Sequence, residues 1–550
     1  MGLVALGLEP KDRVAIIGES RPEWLYADLG NLAAGGVSVG VYTTNSSEEV
    51  HYVLSHSESR FFFVEDEEQL DKALEVRERL PRLQKIIVMD MEGLKHFFDP
   101  MVMSFEELLR IGKAFDDEHP DLFRQRLNST SADDIATFVY TSGTTGPPKA
   151  AMLSHTNVIS NSNAFARHVP AFDTDVILSY LPLCHVGERT LSVYHAVNMG
   201  FTVHFAESPD TVPENLREVS PTFFFAVPRI WEKFHSTINL GIQDATWFKR
   251  LIYKMGMEVG RRVARRRLSH LPVPILLGGV RALASLLLFR KVKKLLGIER
   301  ARFALSGAAP ISPEVLEYFH GLGVNIRESY GLTESSSLVT MHRDEDIRLG
   351  TVGQPLPGVE VKIAGNGEIL VRGPNVFCGY YKDEDMTRAA IRDGWLHTGD
   401  LGVIEDGFLR ITGREKDLII TSGGKNISPQ YIENLLKFSP YIMDAVVIGD
   451  GRKYLTALII IDQENAIKFA QDNRVPFTTY ASLTRRGEIR ALIQREVDKV
   501  NERLSRVEQI KKFTILDKLL DQDDDELTPT LKVKRKWISE SHRDIIEAMY

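Results

Sequence analysis

The sequence predicts an α/β protein in two parts. A large N-terminal domain of βαβ-type sheets ends in a small antiparallel barrel, and a small α+β domain follows. Three observations predict this. Short apolar runs alternate with helical patterns through the first half, which implies parallel strands joined by crossover helices. After about residue 350 the pattern changes to strict apolar/polar alternation between Gly-rich turns. From Asp417 onward the chain reads as a separate unit. The division expected is residues 1–415, with 351–415 as the barrel-like part, and then 416–550.

The elements follow in order. Arg13-Val-Ala-Ile-Ile-Gly18, Arg60-Phe-Phe-Phe-Val64 and Lys85-Ile-Ile-Val-Met89 are buried strands, with helices over Pro22 to Ala34 and Ser47 to Ser55. Ile135-Ala-Thr-Phe-Val-Tyr140 is another buried strand. A second series comprises Phe201-Thr-Val-His-Phe205, Thr222-Phe-Phe-Phe-Ala226 and Ala301-Arg-Phe-Ala-Leu305. Val359 to Ile363, Gly367 to Arg372 and Gly407 to Ile411 alternate, and Asp406-Gly407 is a hairpin signal. Asp521 to Glu526 is acidic and is expected to be a solvated loop.

The strand ending at Tyr140 runs into Thr141, Ser142, Gly143, Thr144, Thr145, Gly146, Pro147, Pro148 and Lys149. Glycines let backbone amides approach a ligand, hydroxyls add donors, and a lysine adds a point charge, a combination suited to polyphosphate. Strand ends are where open α/β sheets bind ligands. The spacing is not that of a Walker A loop. By itself such a loop is also compatible with a polar surface turn.

Composition narrows the classes. Of 550 residues, 43% are apolar and 26% charged, as in ordinary soluble domains, and a net charge of -8 argues against a nucleic-acid binder. Two distant cysteines, Cys184 and Cys378, build neither a disulfide framework nor a zinc site, so a reducing, cytoplasmic setting is expected. The N-terminus lacks a basic region and a long apolar core, so no signal peptide is expected there. Leu271 to Phe289 is the most apolar stretch, but two prolines, two glycines and Arg281 suit it poorly to spanning a bilayer.

Tyr140 to His155, YTSGTTGPPKAAMLSH, resembles the phosphate loop of the adenylate-forming superfamily, and four further motifs extend the likeness from about residue 10 to the C-terminus. The resemblance implies a mobile C-terminal domain. It also implies a cleft in which a carboxylate attacks the α-phosphate of ATP, with Mg²⁺ present. Two anions must meet there, so the demand on the site is electrostatic. Relatives usually begin several tens of residues before the point matched by Leu3, so the first strands are expected to be missing or replaced.

Carried over position by position, the resemblance gives the phosphate loop Thr141 to Gly146 and Lys149, with Thr144 also near the metal. In Glu328-Ser329-Tyr330-Gly331-Leu332-Thr333-Glu334, Tyr330 stacks on adenine, Thr333 touches the α-phosphate and Glu334 holds Mg²⁺. Mg²⁺ is satisfied by one or two carboxylates plus phosphate oxygens. Gly307, Ala308 and Ala309 form an adenine wall, though a tight strand-to-helix turn explains them equally well. Asp400 in Trp395-Leu-His-Thr-Gly-Asp400 and Arg414 hold the ribose, and Lys416 is the hinge. Thr528-Pro-Thr-Leu-Lys-Val-Lys-Arg535 carries the catalytic lysine. Leu531 stands where a glycine is usual, Lys532 takes the lysine position, and Lys534 projects the other way from an extended segment. Pro182 to Arg189 resembles the acyl-pocket segment, with His185 at its aromatic or histidine position.

Gly423-Gly-Lys-Asn-Ile-Ser-Pro429 resembles long-chain and bubblegum-type fatty-acyl-CoA synthetases. The expected substrates are therefore ATP, a long-chain fatty acid and coenzyme A. Residues 249–294 carry thirteen Lys/Arg against one Glu, and Val280, Leu283, Ala284, Leu287, Leu288, Val292, Leu295 and Leu296 fall on one helical stripe. That pattern suits peripheral contact with an anionic membrane, and equally a helix packed on its own domain with a wet basic face. Two other functions stay open: a fatty-acyl-AMP ligase that loads a carrier protein, and a non-catalytic lipid- or nucleotide-binding relative.

Overall fold

The computed structural model describes residues 1–141, 147–520, 526–527 and 533–550. The first sheet is built on β1 (Arg13–Ile17), β2 (Val37–Val41), β3 (Phe61–Val64), β4 (Lys85–Val88), β5 (Val102–Ser104), β6 (Ile135–Thr141) and β7 (Lys149–Ser154). β1 to β6 pair in parallel, and the apolar runs of β1, β3, β4 and β6 are the buried strands expected there; β2 and β5, VSVGV and VMS, carry no such run and are not among the expected strands. The Pro22–Ala33 and Ser47–Ser57 helices supply crossovers, the second opened by a Ser46/Glu49 capping box. β7 departs from the parallel pattern. It returns antiparallel to β6, with Thr141 opposite Lys149 at the two ends of the phosphate-loop motif.

β8 (Val176–Ser179) and β9 (Thr202–Phe205) form a separate parallel pair. β10 (Phe223–Ala226), β11 (Phe303–Ser306) and β12 (Ile326–Tyr330) are parallel and buried, and β13 (Thr340–Met341) and β14 (Gln354–Pro355) add antiparallel edges. The small antiparallel unit contains β15 (Glu360–Ile363), β16 (Glu368–Arg372), β18 (Ile391–Arg392), β19 (Trp395–Glu405) and β20 (Phe408–Arg414). The β19–β20 turn uses Asp406 and Gly407, both at positive φ, as the dipeptide predicts. β17 (Gly379–Tyr380) leaves this unit and pairs with β7 at the edge of the first sheet.

The C-terminal region has its own apolar core around the Ile442–Ile448, Leu455–Ile461 and Ile510–Ile515 strands. It meets the Pro228–Gln243 helix through Asn465 Nδ2 to Ser236 Oγ (2.7 Å), Lys468 Nζ to Asp244 Oδ1 (2.5 Å) and His235 stacked on Phe438.

Two expectations are corrected here. Residues 521–525 lie outside the described residues, but Glu526 is buried rather than solvated and is paired with Lys518 at 2.7 Å. The apolar stripe beginning at Val280 does not face one way. A wide π turn at Ser285–Phe289 shifts the helical register between the Ile275–Ala284 and Arg290–Leu295 segments. Val292 and Leu296 therefore point into the core beside buried Phe289, while Val280, Leu283, Leu287 and Leu295 stay exposed.

Candidate active site

The described candidate residues gather where β11 and β12 end and where β19 and β20 pack against β12. Asp400 is their best-defined node. β19 and β20 place Asp400 directly opposite Arg414. The Asp400 Oδ1 is 3.3 Å from Arg414 Nε, and its Oδ2 accepts from the Tyr330 hydroxyl at 2.8 Å. Asp400 is thus held from both sides. Tyr330 is buried at the end of β12, and burial, then the charge of Asp400, pushes its phenol well above the ordinary range. It cannot ionise and acts as a hydrogen-bond donor.

The irregular stretch of β19 that carries Asp400 is fixed by a residue that no motif announces. Glu368 of β16 accepts from the Gly399 amide at 3.0 Å and lies 2.8 Å from His397 Nδ1. Thr398 Oγ1 donates to the Ile369 carbonyl and accepts from the Asp400 amide. Gly399, at φ +70°, sits at the register shift where β19 slips against β16.

Thr333 and Glu334 sit in a single 3₁₀ turn, Thr333–Ser335, just after β12. A Cβ on Gly331 would lie 1.5 Å from the Ser337 carbonyl oxygen, so the approach to this turn admits only glycine. Glu334 accepts from the Tyr380 hydroxyl at 2.7 Å, and its backbone carbonyl accepts from the Phe377 amide. Lys149 Nζ lies 5.7 Å above the Tyr380 ring. Tyr380 therefore joins the end of the phosphate-loop hairpin to the acidic turn. Burial, then Glu334, pushes the Tyr380 phenol up, so it too stays protonated.

Gly307 and Ala308 follow β11. A Cβ on Gly307 would lie 2.7 Å from Ser329 Oγ, and Ala308 is at φ +67°. This is the tight turn expected, pressed on the neighbouring strand end. Glu328 is buried and raised to about 8 by that burial; its Oε2 has no hydrogen-bond partner among the described residues. It is a neutral carboxylic acid at pH 7.

His185 caps the short Val186–Arg189 helix, its Nδ1 accepting from the Gly187 amide. The same segment buries Arg189 against Asp28, with Nη1 donating to Thr137 Oγ1 on β6 at 2.6 Å. Glu188 accepts from Ser179 and Ser192, and burial raises it to about 7. Glu188, Leu191, Phe223 and Phe225 line a small cavity behind Gly307.

Lys416 is exposed in the Glu415–Asp417 turn that leaves β20. Ser142, Gly143, Thr144, Thr145, Gly146 and Lys532 lie outside the described residues. Among the described residues no cluster of three His, Cys, Asp or Glu could hold a metal by protein ligands alone. A single carboxylate, Glu334, close to the hairpin that joins Thr141 to Lys149, does fit Mg²⁺, which takes one or two carboxylates and fills its other positions with phosphate oxygens and water.

The fold and sequence have close counterparts. Residues 1–381 match the family model described as AMP-binding enzyme, and residues 416–550 match AMP-binding enzyme C-terminal domain. The long-chain-fatty-acid–CoA ligase ACSBG2 of Xenopus laevis is 35% identical over 583 residues, covering 100% of this chain and 78% of that protein. FadD15 of Mycobacterium tuberculosis, also named a long-chain-fatty-acid–CoA ligase, is 35% identical over 100% of this chain and 90% of its own length. The adenylation domain of a carboxylate reductase from Mycobacterium chelonae superposes with a TM-score of 0.73 at 20% identity, covering 100% and 82% of the two chains. The anthranilate CoA ligase AuaEII superposes with a TM-score of 0.70, also at 20% identity, over 98% and 89%.

Proposed function

The chain belongs to the AMP-binding enzyme family, and from that we infer that it is an ATP-dependent long-chain fatty-acid–CoA ligase. In the first step a carboxylate oxygen of the acid attacks the α-phosphorus, the bond to pyrophosphate breaks, and acyl-AMP forms. In the second, the sulfur of coenzyme A attacks the acyl carbonyl, AMP leaves, and the thiol proton passes to solvent. The observation that carries this reading is the Tyr330–Asp400–Arg414 node beside the Lys149–Tyr380–Glu334 group, both built on the end of β12 and the turn that follows it.

Each group then has a task. Two carboxylate oxygens offer about four acceptor positions, so Asp400 receives a ribose diol while keeping Tyr330 and Arg414. Thr141 to Gly146 and Lys149 bind phosphates, Thr333 touches the α-phosphate, and Gly307 to Ala309 with Ser329, Tyr330 and Gly331 flank the base. Glu334, with Thr144, would hold Mg²⁺, which supplies charge neutralisation on the phosphates. Glu328 is a neutral support behind the adenine side. His185 and the cavity beside Glu188 lie on the acyl side. The division at residue 415 assigns 416–550 to a mobile domain turning about Lys416, which brings Lys532 to the carboxylate in step one and withdraws it for step two. We assign the enzyme to the cytoplasm, in peripheral contact with an anionic membrane. Its two cysteines, one buried and one exposed, are both free.

The test separates the half-reactions. Lys532→Ala should lower pyrophosphate release about 10²–10³-fold and leave thioester formation from supplied acyl-AMP intact. Equal loss in both steps, or a larger effect from Lys534→Ala, refutes the assignment. Pyrophosphate release across a fatty-acid length series, with coenzyme A against a phosphopantetheinylated carrier protein, decides the acceptor. ATP binding with no pyrophosphate release from any acid would mark a non-catalytic relative.

A further inference from the structure

Between β10 and β11 the chain makes a helical excursion that the adenylation cleft does not use. Its middle helix, Ile275–Ala284, has no buried residue, although its sequence, Ile-Leu-Leu-Gly-Gly-Val-Arg-Ala-Leu-Ala, is among the most apolar in the protein. Ile275 is 95% exposed and Leu276 82%. Leu276, Val280, Leu283 and Leu287 recur at helical spacing on one side, and Leu286 widens that side across the π turn. Soluble surfaces rarely expose a contiguous apolar face of this kind without a use for it.

The charges around it indicate what covers it. Of the thirteen Lys/Arg between residues 249 and 294, some are spent inside the domain: Arg261 lies over Tyr318, Arg281 over Phe289, and Arg265 pairs with Glu317. Lys249, Arg250, Lys254, Arg290, Lys291 and Lys294 are exposed and make no ion pair among the described residues. Arg290, Lys291 and Lys294 directly follow the apolar face, where their stems can lie along it and their charges can reach outward. A second copy of this chain is a poor occupant, because a two-fold contact would set like charges against like. Spanning is also excluded for the described residues, since no helix is long and apolar enough to cross a membrane.

We propose that this face is the membrane-docking surface, with Leu276, Val280, Leu283, Leu286 and Leu287 seated among acyl chains and Arg290, Lys291 and Lys294 on anionic headgroups. This rests on the peripheral contact proposed above and specifies its site. It replaces the stripe through Val292 and Leu296, which the core occupies. It also links the bilayer to the cleft. The Trp247–Leu268 helix packs so closely on the Pro313–Leu322 helix that a Cβ on Gly260 would be 2.4 Å from the Gly321 carbonyl oxygen. The Pro313–Leu322 helix runs into β12, which carries Tyr330. A docked enzyme therefore holds its adenylation domain in one fixed pose on the bilayer.

Vesicle flotation of the full chain tests this, using phosphatidylcholine with and without phosphatidylglycerol. The protein should float with anionic vesicles only, and salt should release it. Arg290→Glu, Lys291→Glu and Lys294→Glu together should weaken partitioning by at least about a hundredfold. Leu276→Ser, Leu283→Ser and Leu287→Ser together remove only exposed side chains. That variant should keep its turnover of a soluble medium-chain acid without vesicles, but lose both flotation and the stimulation of long-chain turnover by anionic vesicles. Equal flotation with neutral vesicles overturns the proposal, as does unchanged flotation of the leucine variant. So does a dimer in sedimentation velocity that the leucine variant converts to monomer. Failure of the unmodified protein to turn over any soluble acid would count against the ligase reading and leave the flotation result standing.

Discussion

Replacing Asp400 by alanine should separate nucleotide affinity from everything else the enzyme does. The carboxylate touches Tyr330 at 2.8 Å and Arg414 at 3.3 Å. The Arg414 side chain is half exposed, so its pairing with Asp400 is worth under about 1 kcal/mol. The Tyr330 hydroxyl is different, because it is buried, and losing its acceptor costs about 1–3 kcal/mol of fold stability. Ribose hydroxyls bound to a charged acceptor contribute about 1.5–3 kcal/mol of binding. The Michaelis constant for ATP should therefore rise about ten- to hundredfold. Asp400→Asn, which keeps an acceptor for Tyr330 and drops the charge, should fall at the low end without the stability loss. The assay is pyrophosphate release at varied ATP with saturating fatty acid, repeated at varied fatty acid, whose Michaelis constant should not move. A double-mutant cycle with Tyr330→Phe isolates the tyrosine contribution. An ATP constant within twofold of the parent, or an equal rise in the fatty-acid constant, would refute the placement of Asp400 at the ribose.

Three further outcomes are expected. Glu328 has its pKa raised from 4.5 to about 8, so the folded state holds a proton that the unfolded chain releases, and its contribution to stability must decline as pH rises between those values; Glu328→Gln should gain on the parent over that window, and melting curves with a constant difference at all pH would contradict it. Gly331→Ala forces a methyl group onto the Ser337 carbonyl and should displace the turn of Thr333 and Glu334, abolishing pyrophosphate release while circular dichroism stays native; a fully active variant would show that the turn tolerates the shift. Tyr380→Phe removes the 2.7 Å bond to Glu334 and should lower turnover about tenfold with a raised Mg²⁺ requirement, read from a magnesium titration, whereas an unchanged titration would detach Tyr380 from the metal side.

Strands and motifs were readable because both are local. β1, β3, β4 and β6 are buried, so each reads as an apolar run, and the Asp406-Gly407 turn declares its backbone demand in place, whereas β2, with its serine and glycine, and the short edge strand β5 do not announce themselves. Contacts of Tyr330 with Asp400, of Asp400 with Arg414, and of Lys149 and Glu334 with Tyr380 join motifs that the resemblance named separately. Tyr380 and Glu368 were not legible. A tyrosine in Gly-Tyr-Tyr-Lys carries no local signature, and it reaches Glu334 only because β17 crosses to β7. Glu368 looks like any polar residue of an alternating strand until β16 meets β19 and places it under the Gly399 amide. The apolar stripe failed for a different reason. A helical wheel assumes one uniform period, and the π turn at Ser285–Phe289 breaks that period where the face changes from exposed to core-facing.

The β7–β17 pairing also has a consequence for synthesis. β7 is complete at Ser154, but the strand that covers its free edge arrives only at Gly379 and Tyr380. A nascent chain must therefore carry an uncapped, apolar sheet edge through more than two hundred residues of elongation. At about 5–20 residues per second this lasts on the order of ten seconds or more. Exposed edges of this kind recruit other strands. The same late pairing brings Tyr380 to Glu334, so nucleotide can stabilise the fold only after that edge is shut. ATP then acts on the finished product and cannot rescue the intermediate. Protection during translation has to come from whatever holds the emerging chain.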